Sequence, residues 1–600
     1  MKSLFDWLDQ RTGYRHITRE ALFENIPGGS RWRYVWGSTL TFTLVIQFIT
    51  GIALWMAYSP SSQTAWESVY YIQNEMWGGW FLRGLHHYTA QAMNILLVLH
   101  LMQVVIDGAY KAPREVNFWF GVALLLLVLG LSLTGYLLPW DQKGFWATKV
   151  ATNIAGITPI IGPGLQKIII GGSDYGHHTL TRFFALHAGV LPAAIVALLV
   201  AHIYLFRRHG ITAKQPLKKP DAAFWPDQVL KDAVACLAVL AAILFFIVRS
   251  NGPDLGAPAD PSEPYSAARP EWYFLFLFQF LKYFPGGTEI WGAIIIPSVI
   301  VVIIFLMPFM GKWKLGHRFN LGLLWSLMAG AALLTYLAIA EDRRNSDYVR
   351  SVEDAKRDAD RVKELAKSPA GIPATGAVTL LRNDPLTQGP KLFAKYCASC
   401  HRYDGHDGLG GVFTNAPEAP DLKGFASREW IAGLLDPEKI SGPDYFGGTK
   451  FKDGKMAKFV KKDVARFSDA EKEQLKKVVA ALSAEAWLKS QREMDQRDIE
   501  MIKEGRELIA KSPMSCTDCH QFQQFKDELA TGPDLTGYGS HQWLAEIISN
   551  PSHAKFYGKK NDRMPAFADD KILDAQSIDL LTKWLRGDWY VPGENAEAQR

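Results

Sequence analysis

The chain has 600 residues, of which 48% are hydrophobic and 21% charged, with a formal net charge of +5. These averages exclude a disordered, collagen-like or disulfide-scaffold protein. They also hide a division, because residues 1–341 hold only 25 of the 65 basic and 19 of the 60 acidic residues. The sequence therefore predicts a membrane half followed by a water-soluble half. The modest positive charge lies in the membrane half and gives no reason to expect nucleic acid as a partner.

Seven apolar stretches are long enough to cross a bilayer as helices. With the amino terminus in the cytoplasm, the segments on that side hold seventeen lysines and arginines, against seven on the other side. Such a bias is typical of cytoplasmic loops. We expect a multi-pass protein of the bacterial inner membrane, with everything after residue 341 on the periplasmic side. The stretches lie at about 34–57, 80–106, 117–138, 183–206, 232–249, 290–310 and 321–340.

Two of these stretches carry two histidines each. His86 and His100 lie in the second stretch, and His187 and His202, separated by one position more, lie in the fourth. About four helical turns separate the members of each pair, so each pair lies near one helix face at two levels about 21 Å apart. If the helices face each other, His86 meets His187 and His100 meets His202, and each facing pair can ligate one haem iron. A single membrane histidine is often a packing residue, but two matched pairs favour two non-covalent b-type haems.

Glycines in the first and third stretches repeat this spacing. Gly37 and Gly51 have the same separation as the first histidine pair, and so do Gly121 and Gly135. Glycine lets neighbouring backbone approach a haem plane, although small residues also promote helix packing in membranes. The agreement with the histidine spacing favours the haem interpretation.

The water-soluble half contains two Cys-x-x-Cys-His motifs, one in each of two consecutive repeats. This motif holds c-type haem through two thioethers, and its histidine is the proximal iron ligand. Zinc is the alternative, but a zinc ribbon needs a second cysteine pair in each repeat. The fifth cysteine, Cys236, is interpreted as a small core residue. The motif residues are Cys397, Cys400 and His401, and Cys516, Cys519 and His520.

A sixth iron ligand is expected downstream of each motif. Met564 follows the second motif and is itself followed by proline, as in small cytochromes c, while Met456 lies in a comparable place after the first motif. Thioether ligation raises the reduction potential, which suits an electron acceptor. His541 and His553 are competing candidates in the second repeat.

Four segments of residues 1–341 resemble cytochrome b of the quinol-oxidising cytochrome bc complexes, closest to the chloroplast-type branch. The resemblance implies a quinol:cytochrome c oxidoreductase subunit that works by bifurcated oxidation. One electron passes through a Rieske-type iron–sulfur protein to the c-type haems, and the other crosses the membrane through the b-type haems. The alternative is a non-bifurcating electron conduit that anchors another dehydrogenase or reductase. The segments are 82–86, 111–115, 134–142 and 270–273.

The resemblance also implies roles for individual residues. In the outer Pro-Glu-Trp-Tyr loop, Glu271 is the expected base for quinol, Tyr273 a hydrogen-bonding neighbour, and Pro270 the residue that fixes the turn. Arg83 and Arg114 are expected to neutralise haem propionates. Glu20 and Arg207 are expected near the inner quinone. Surface charges that extend towards water are the alternative for these last four.

The predicted fold is all-α. It comprises a seven-span bundle, made of a four-helix haem core plus three helices, followed by two small cytochrome c-like domains. The resemblance further implies a homodimer that passes electrons to a soluble cytochrome c or a terminal oxidase. The predicted divisions are a haem-binding core at 1–210, a three-span part with the Pro-Glu-Trp-Tyr loop at 211–345, a charged linker at 346–384, and cytochrome c domains at 385–485 and 486–600.

Overall fold

The computed structural model of the protein describes residues 2–212, 220–413, 417–526, 530–561 and 563–593. The chain forms two compact units. The membrane unit comprises Met1–Lys363 and Ile372–Val378, and the C-terminal unit comprises Glu364–Gly371 and Thr379–Arg600. Helices dominate both units. The strands found in the described residues are a two-residue antiparallel pair, Asn25–Ile26 with Ala222–Ala223.

All seven predicted membrane spans are present, so the protein is a multi-pass membrane protein. Several helices run past the apolar stretches, because a helix satisfies its own backbone hydrogen bonds in the bilayer and in the interface alike. The fourth, for example, is longer than its predicted 183–206. The first to seventh spans are Trp36–Trp55, Gly79–Ile106, Glu115–Leu137, His177–His209, Phe224–Ser250, Trp291–Met310 and Gly316–Arg344.

Packing between the spans defines a four-helix core. The first span packs against the second, and the third packs against the fourth. The fifth span lies against the first and second, and the seventh contacts the second. Each predicted glycine-bearing helix therefore lies beside a histidine-bearing helix.

Shorter helices connect or flank the spans. Asp141 starts one of them, because its Oδ1 accepts a hydrogen bond from Gly144 N at 2.8 Å and caps the helix. A charged helix, Ser346–Ala366, follows the seventh span. The other helices of the membrane unit are Lys2–Thr12, Tyr14–Leu22, Ala65–Asn74, Gln142–Gly156, Gly162–Ile170, His177–Ala185 at the start of the fourth span, and Leu275–Leu281.

The C-terminal unit contains two structurally similar repeats around a shared hydrophobic core. In each repeat a tryptophan indole donates a hydrogen bond to the carbonyl of an aspartate nine residues earlier: Trp430 to Asp421 at 3.0 Å, and Trp543 to Asp534 at 2.8 Å. The predicted repeat thus extends well beyond the two cysteine motifs. Its helices are Pro385–Tyr396, Arg428–Leu434, Lys455–Lys462 and Asp469–Ala484, then Arg492–Arg497, Ile499–Leu508, His541–Ser549 and Ala575–Arg586.

The end helices of the two repeats pair crosswise. The first helix of repeat one, Pro385–Tyr396, packs against the last helix of repeat two, Ala575–Arg586. The last helix of repeat one, Asp469–Ala484, packs against Ile499–Leu508, the helix of repeat two that precedes its cysteine motif. Each repeat therefore supplies a helix that completes the other. The predicted boundary between two cytochrome c domains at residues 485 and 486 stays a prediction.

A glycine makes each crosswise contact possible. A Cβ built on Gly389 would lie 2.2 Å from Cβ of Trp584, and one built on Gly505 would lie 2.0 Å from the carbonyl oxygen of Lys477. The centroid of the Trp584 ring lies 5.4 Å from that of Phe393 and 4.3 Å from that of Tyr403. The C-terminal helix of repeat two is thus part of the hydrophobic core beside the first cysteine motif.

We expect Gly389→Ala to loosen the last helix of repeat two, because the added methyl collides with Trp584. Overpacking of this kind costs about 1–3 kcal/mol. Hydrogen exchange, followed by mass spectrometry on the full-length protein, should accelerate in Ala575–Arg586. Acceleration confined to Asp469–Ala484 would contradict crosswise pairing. Gly322→Ala is the control, because its Cβ would meet no heavy atom within 4 Å.

Candidate functional site

His86 and His187, called the outer pair here, face each other across the four-helix core. The ring centroids of His86 and His187 are 6.3 Å apart and their planes cross at 74°. Nδ1 of His86 lies 2.9 Å from Thr50 Oγ1, and Nδ1 of His187 lies 3.1 Å from the Leu131 carbonyl oxygen and 3.2 Å from Thr134 Oγ1. Because Nδ1 is occupied on both rings, Nε2 is the nitrogen left to bind a metal.

His100 and His202, called the inner pair here, lie on the same two spans as His86 and His187. His100 and His202 lie within electrostatic range of each other. Nδ1 of His202 lies 3.0 Å from the carbonyl oxygen of Asn117. Nδ1 of His100 is buried and has no hydrogen-bond partner among the described residues. The structure thus brings together both histidine pairs that the spacing predicts.

Each predicted glycine faces one predicted histidine. A Cβ built on Gly135 would lie 2.6 Å from Cε1 of His187, whereas one built on Gly37 would lie 3.9 Å from Cε1 of His100. The distances for the other two glycines are intermediate. A Cβ built on Gly51 would lie 3.4 Å from Cε1 of His86, and one built on Gly121 would lie 3.3 Å from Cε1 of His202. Four imidazoles, each beside bare backbone, fit a flat macrocycle bound between the helices.

A π-turn explains why the two histidine spacings differ by one residue. Leu186–Val190, which includes His187, forms a single turn of π-helix within the fourth span. A π-bulge is an extra residue accommodated in an α-helix. The longer interval from His187 to His202 therefore spans nearly the same rotation as the interval from His86 to His100. Both pairs keep the same facing register.

The Glu271 carboxylate is largely buried, with a side chain 16% exposed. Lys143 Nζ lies 3.2 Å from its Oε1, and Gln91 Nε2 lies 3.4 Å from its Oε2. The Trp272 indole donates a hydrogen bond to Oε1 of Gln91. Burial and the nearby Glu271 carboxylate raise the pKa of Tyr273, so its hydroxyl keeps its proton. The loop carboxylate is therefore held by protein side chains.

The residue before the Pro-Glu-Trp-Tyr segment anchors it to the end of the seventh span. Arg269 makes a two-point ion pair with Asp342, with nitrogen–oxygen distances of 2.7 and 2.9 Å. Its guanidinium carbon lies 4.0 Å from the centroid of the Tyr348 ring. Tyr136 donates a hydrogen bond to the Arg269 carbonyl at 3.4 Å. These contacts fix the position of the backbone that presents Glu271.

The two predicted propionate-binding arginines are both held by backbone carbonyls. Arg83 donates to the carbonyls of Pro253 at 2.8 Å and Asp254 at 2.9 Å. Arg114 donates to the carbonyl of His209 at 2.7 Å. Nε of Arg114 is buried without a hydrogen-bond partner in the described part of the chain, so it is a donor available to a bound anion.

Glu20 and Arg207, which are both predicted near the inner quinone, have different side-chain partners. Glu20 is 72% exposed and lies 3.6 Å from His16, one helical turn away. Arg207 instead pairs with Glu24, with 3.1 Å between Nη1 and Oε2. Burial raises the pKa of Glu24, and the arginine charge opposes that shift. Glu24 follows the end of the helix Tyr14–Leu22, which turns the chain inwards between these two acidic residues.

The histidines of both cysteine motifs are held in the same way. Nδ1 of His401 lies 2.8 Å from the carbonyl oxygen of Pro420, and Nδ1 of His520 lies 2.8 Å from that of Pro533. Burial lowers the pKa of both imidazoles, so they are neutral near pH 7 and keep the Nε2 lone pair. Such a carbonyl partner orients a metal-binding histidine. None of Cys397, Cys400, Cys516 and Cys519 takes part in a disulfide.

The candidate sixth ligands differ in their surroundings. Met456 lies in the helix Lys455–Lys462, and both Met456 and Met564 pack partly buried against the shared core. Nε2 of His541 instead lies 2.8 Å from Asp579 Oδ1. Nδ1 of His553 accepts a hydrogen bond from the backbone of Lys555. The contact of His541 occupies Nε2, whereas that of His553 occupies Nδ1 and leaves Nε2 free, so Met456, Met564 and His553 remain the candidates for a sixth ligand.

Sequence reasoning missed three side chains that contact predicted site residues, namely Lys143, Gln91 and Glu24. Lys143 directly follows the 134–142 segment. A basic residue beside this apolar loop could have indicated a partner for the Glu271 carboxylate. Gln91 lies one and a half helical turns beyond His86, where a polar side chain in a membrane span is itself a functional signal. No sequence pattern marked Glu24, because the turn after the helix Tyr14–Leu22 determines that its side chain reaches Arg207.

Three family profiles match the chain. Cytochrome b(N-terminal)/b6/petB matches residues 91–258, and Cytochrome b(C-terminal)/b6/petD matches residues 258–351. Cytochrome c matches residues 386–482, which contain the first Cys-x-x-Cys-His motif. The matched ranges include three of the four membrane histidines and Glu271.

Curated proteins similar to the membrane half include the menaquinol:cytochrome c reductase cytochrome b subunit of Geobacillus thermodenitrificans, 40% identical over 35% of this chain and 98% of that protein. Cytochrome b of Rhodobacter capsulatus is 35% identical over 49% of this chain and 70% of its own length. Cytochrome b6 of a Synechococcus strain is 37% identical over 35% of this chain and 99% of its own length. These similarities make the chain a redox-complex subunit with haem cofactors. The chain belongs to the cytochrome b/b6 family and carries a cytochrome c domain after its membrane unit.

Proposed function

We propose that this chain is the quinol-oxidising subunit of a quinol:cytochrome c reductase in the bacterial inner membrane. Its amino terminus lies in the cytoplasm and its C-terminal unit lies in the periplasm. The observation that carries the proposal is the buried Glu271 carboxylate, held by a side chain of the span that carries His86. Quinol oxidation releases protons as well as electrons, so its site needs a positioned base. The similarity to a menaquinol:cytochrome c reductase subunit supports a quinol as the electron donor.

The histidine and cysteine geometry supports four haems. Two b-type haems bind non-covalently between facing histidines, and two c-type haems bind covalently at the cysteine motifs. When bound, haem supplies one-electron redox chemistry. The iron ligands are His86 with His187, His100 with His202, His401 with Met456, and His520 with Met564.

In this proposal, the two electrons of quinol go to different acceptors. One passes to a Rieske-type iron–sulfur protein on another chain and then to the c-type haems of this one. The other crosses the membrane through the b-type haems to a quinone, beside Arg207 and Glu24. The C-terminal unit delivers electrons to a soluble cytochrome c or a terminal oxidase. The complex is a homodimer, as the family resemblance implies.

Residues of this chain handle the proton. Glu271 accepts it at a carboxylate oxygen, and the protonated Tyr273 hydroxyl stays available as a hydrogen-bond donor. Pro270 restricts the backbone of the turn. Arg269 keeps that turn attached to Asp342. The base is thereby presented from a rigid loop.

We expect Glu271→Gln to lower quinol-dependent cytochrome c reduction by about 100-fold or more, because the amide cannot take the proton. Haem content should be unchanged, since Glu271 is not an iron ligand. Glu289→Gln, in an exposed outer loop, is the control. Unimpaired turnover of Glu271→Gln would favour the non-bifurcating conduit.

Bifurcation has its own signature in the purified complex. With the inner quinone site inhibited and quinol present, adding an oxidant of the c-type haems should increase the reduction of b-type haem. The reason is that removing the first electron drives the second into the b-type branch. Spectra of b-type and c-type haem follow both events. A linear conduit would instead show b-type haem becoming more oxidised.

The glycine distances predict unequal effects of two matched substitutions. Gly135→Ala pushes a methyl against His187 at 2.6 Å, whereas Gly37→Ala makes an ordinary contact with His100 at 3.9 Å. We expect Gly135→Ala to lower the outer b-type haem content and Gly37→Ala to leave both haems bound. Redox titration of b-haem absorbance distinguishes the two haems. Equal haem loss in both variants would show that the glycine approach does not set the outer site.

A further inference from the structure

Lys143 is a charged side chain at the outer site with no role in the function proposed above. It is the second residue of the helix Gln142–Gly156, and its Nζ lies 3.2 Å from Oε1 of Glu271. The lysine side chain is 43% exposed and the carboxylate 16% exposed. The ion pair therefore joins a solvent-facing cation to a mostly buried anion, and such pairs are screened less than surface pairs.

The position of the ammonium group is set by a rigid element. Asp141 caps the helix through Gly144 N and also accepts a hydrogen bond from Gly256 N at 3.2 Å. The Tyr136 ring centroid lies 5.5 Å from Lys143 Nζ, within the range of a cation–π contact. The lysine thus approaches Glu271 from a helix start that is tied to the loop containing Gly256.

The two carboxylate oxygens of Glu271 have separate donors. Lys143 binds Oε1, and Gln91 approaches Oε2 at 3.4 Å. Gln91 is in turn oriented by the Trp272 indole, which donates to its Oε1. Two donors on opposite oxygens fix the rotation of a carboxylate, which a single donor leaves free. Catalytic groups need this kind of support, because a displacement of about 1 Å can cost about 100-fold in rate.

We propose that Lys143 is a positioning residue that holds the Glu271 carboxylate in the orientation that accepts the quinol proton. The inference rests on the proposed function. In the step it serves, the quinol O–H bond breaks, an O–H bond forms at Glu271, and the carboxylate becomes neutral. Lys143 takes no proton and acts on the reaction only through Glu271. A lysine that bound quinol itself would change the KM for quinol, whereas a positioning lysine changes kcat.

The test measures quinol-dependent cytochrome c reduction by the purified full-length complex, expressed per outer b-type haem. Lys143→Met should lower kcat by about tenfold or more with KM for quinol unchanged, and Lys143→Arg should restore most of it. Lys167→Met is the matched control, since Lys167 is exposed on the neighbouring helix Gly162–Ile170. Adding Lys143→Met to Glu271→Gln should cause no further loss.

Infrared difference spectroscopy gives a readout that a merely structural role would not change. The Glu271 carboxylate band, identified by its loss in Glu271→Gln, should shift in Lys143→Met and stay in place in Lys143→Arg. Full turnover of Lys143→Met beside an inactive Glu271→Gln would overturn this inference and leave the proposed function standing. A rise in KM, or an additive loss in the double variant, would also overturn it. Full turnover of Glu271→Gln would instead overturn the proposed function.

Discussion

The membrane unit depends on the close approach of four glycine backbones to four imidazole rings. Lipid gives helices no hydrophobic reason to associate, so their packing relies on small residues and on satisfied polar groups. Here the glycines remove the side chain that would keep the rings away, and three of the rings are held at Nδ1 by oxygens of a neighbouring span. The same contacts therefore pair the helices and aim the rings.

The outer loops follow from that pairing. With the second span positioned by His86, its Gln91 lies where it meets the Pro-Glu-Trp-Tyr segment. The third span ends in the segment that starts the helix carrying Lys143. Glu271 is thus enclosed by elements that the four-helix core has already placed. Arg269 adds a tie to the seventh span, outside the core.

Much of this arrangement was predictable, because the relevant signals are periodic. Apolar length predicted all seven spans, and the matched histidine and glycine spacings favoured haem binding between the helices. A π-turn at His187 accommodates the longer histidine spacing in the fourth span, and no local sequence pattern announces such a turn. The ion pair of Arg207 with Glu24 depends on where a short helix ends, which periodicity locates poorly. The crosswise helices were also missed, because amphipathic spacing shows which face a helix buries and not which helix covers it.

The crosswise packing has a consequence for biosynthesis. Gly389 lies in the first helix of repeat one, and its partner Trp584 lies in the last helix of repeat two, near the end of the chain. A ribosome therefore completes the first cysteine motif long before it makes the helix that closes the core beside it. Until that helix is made, the core beside Cys397 and Cys400 lacks the Trp584 ring that packs on Gly389 and Phe393. The first of the two proposed haem sites is thus begun first, and its hydrophobic core is completed only when the helix Ala575–Arg586 has been synthesised.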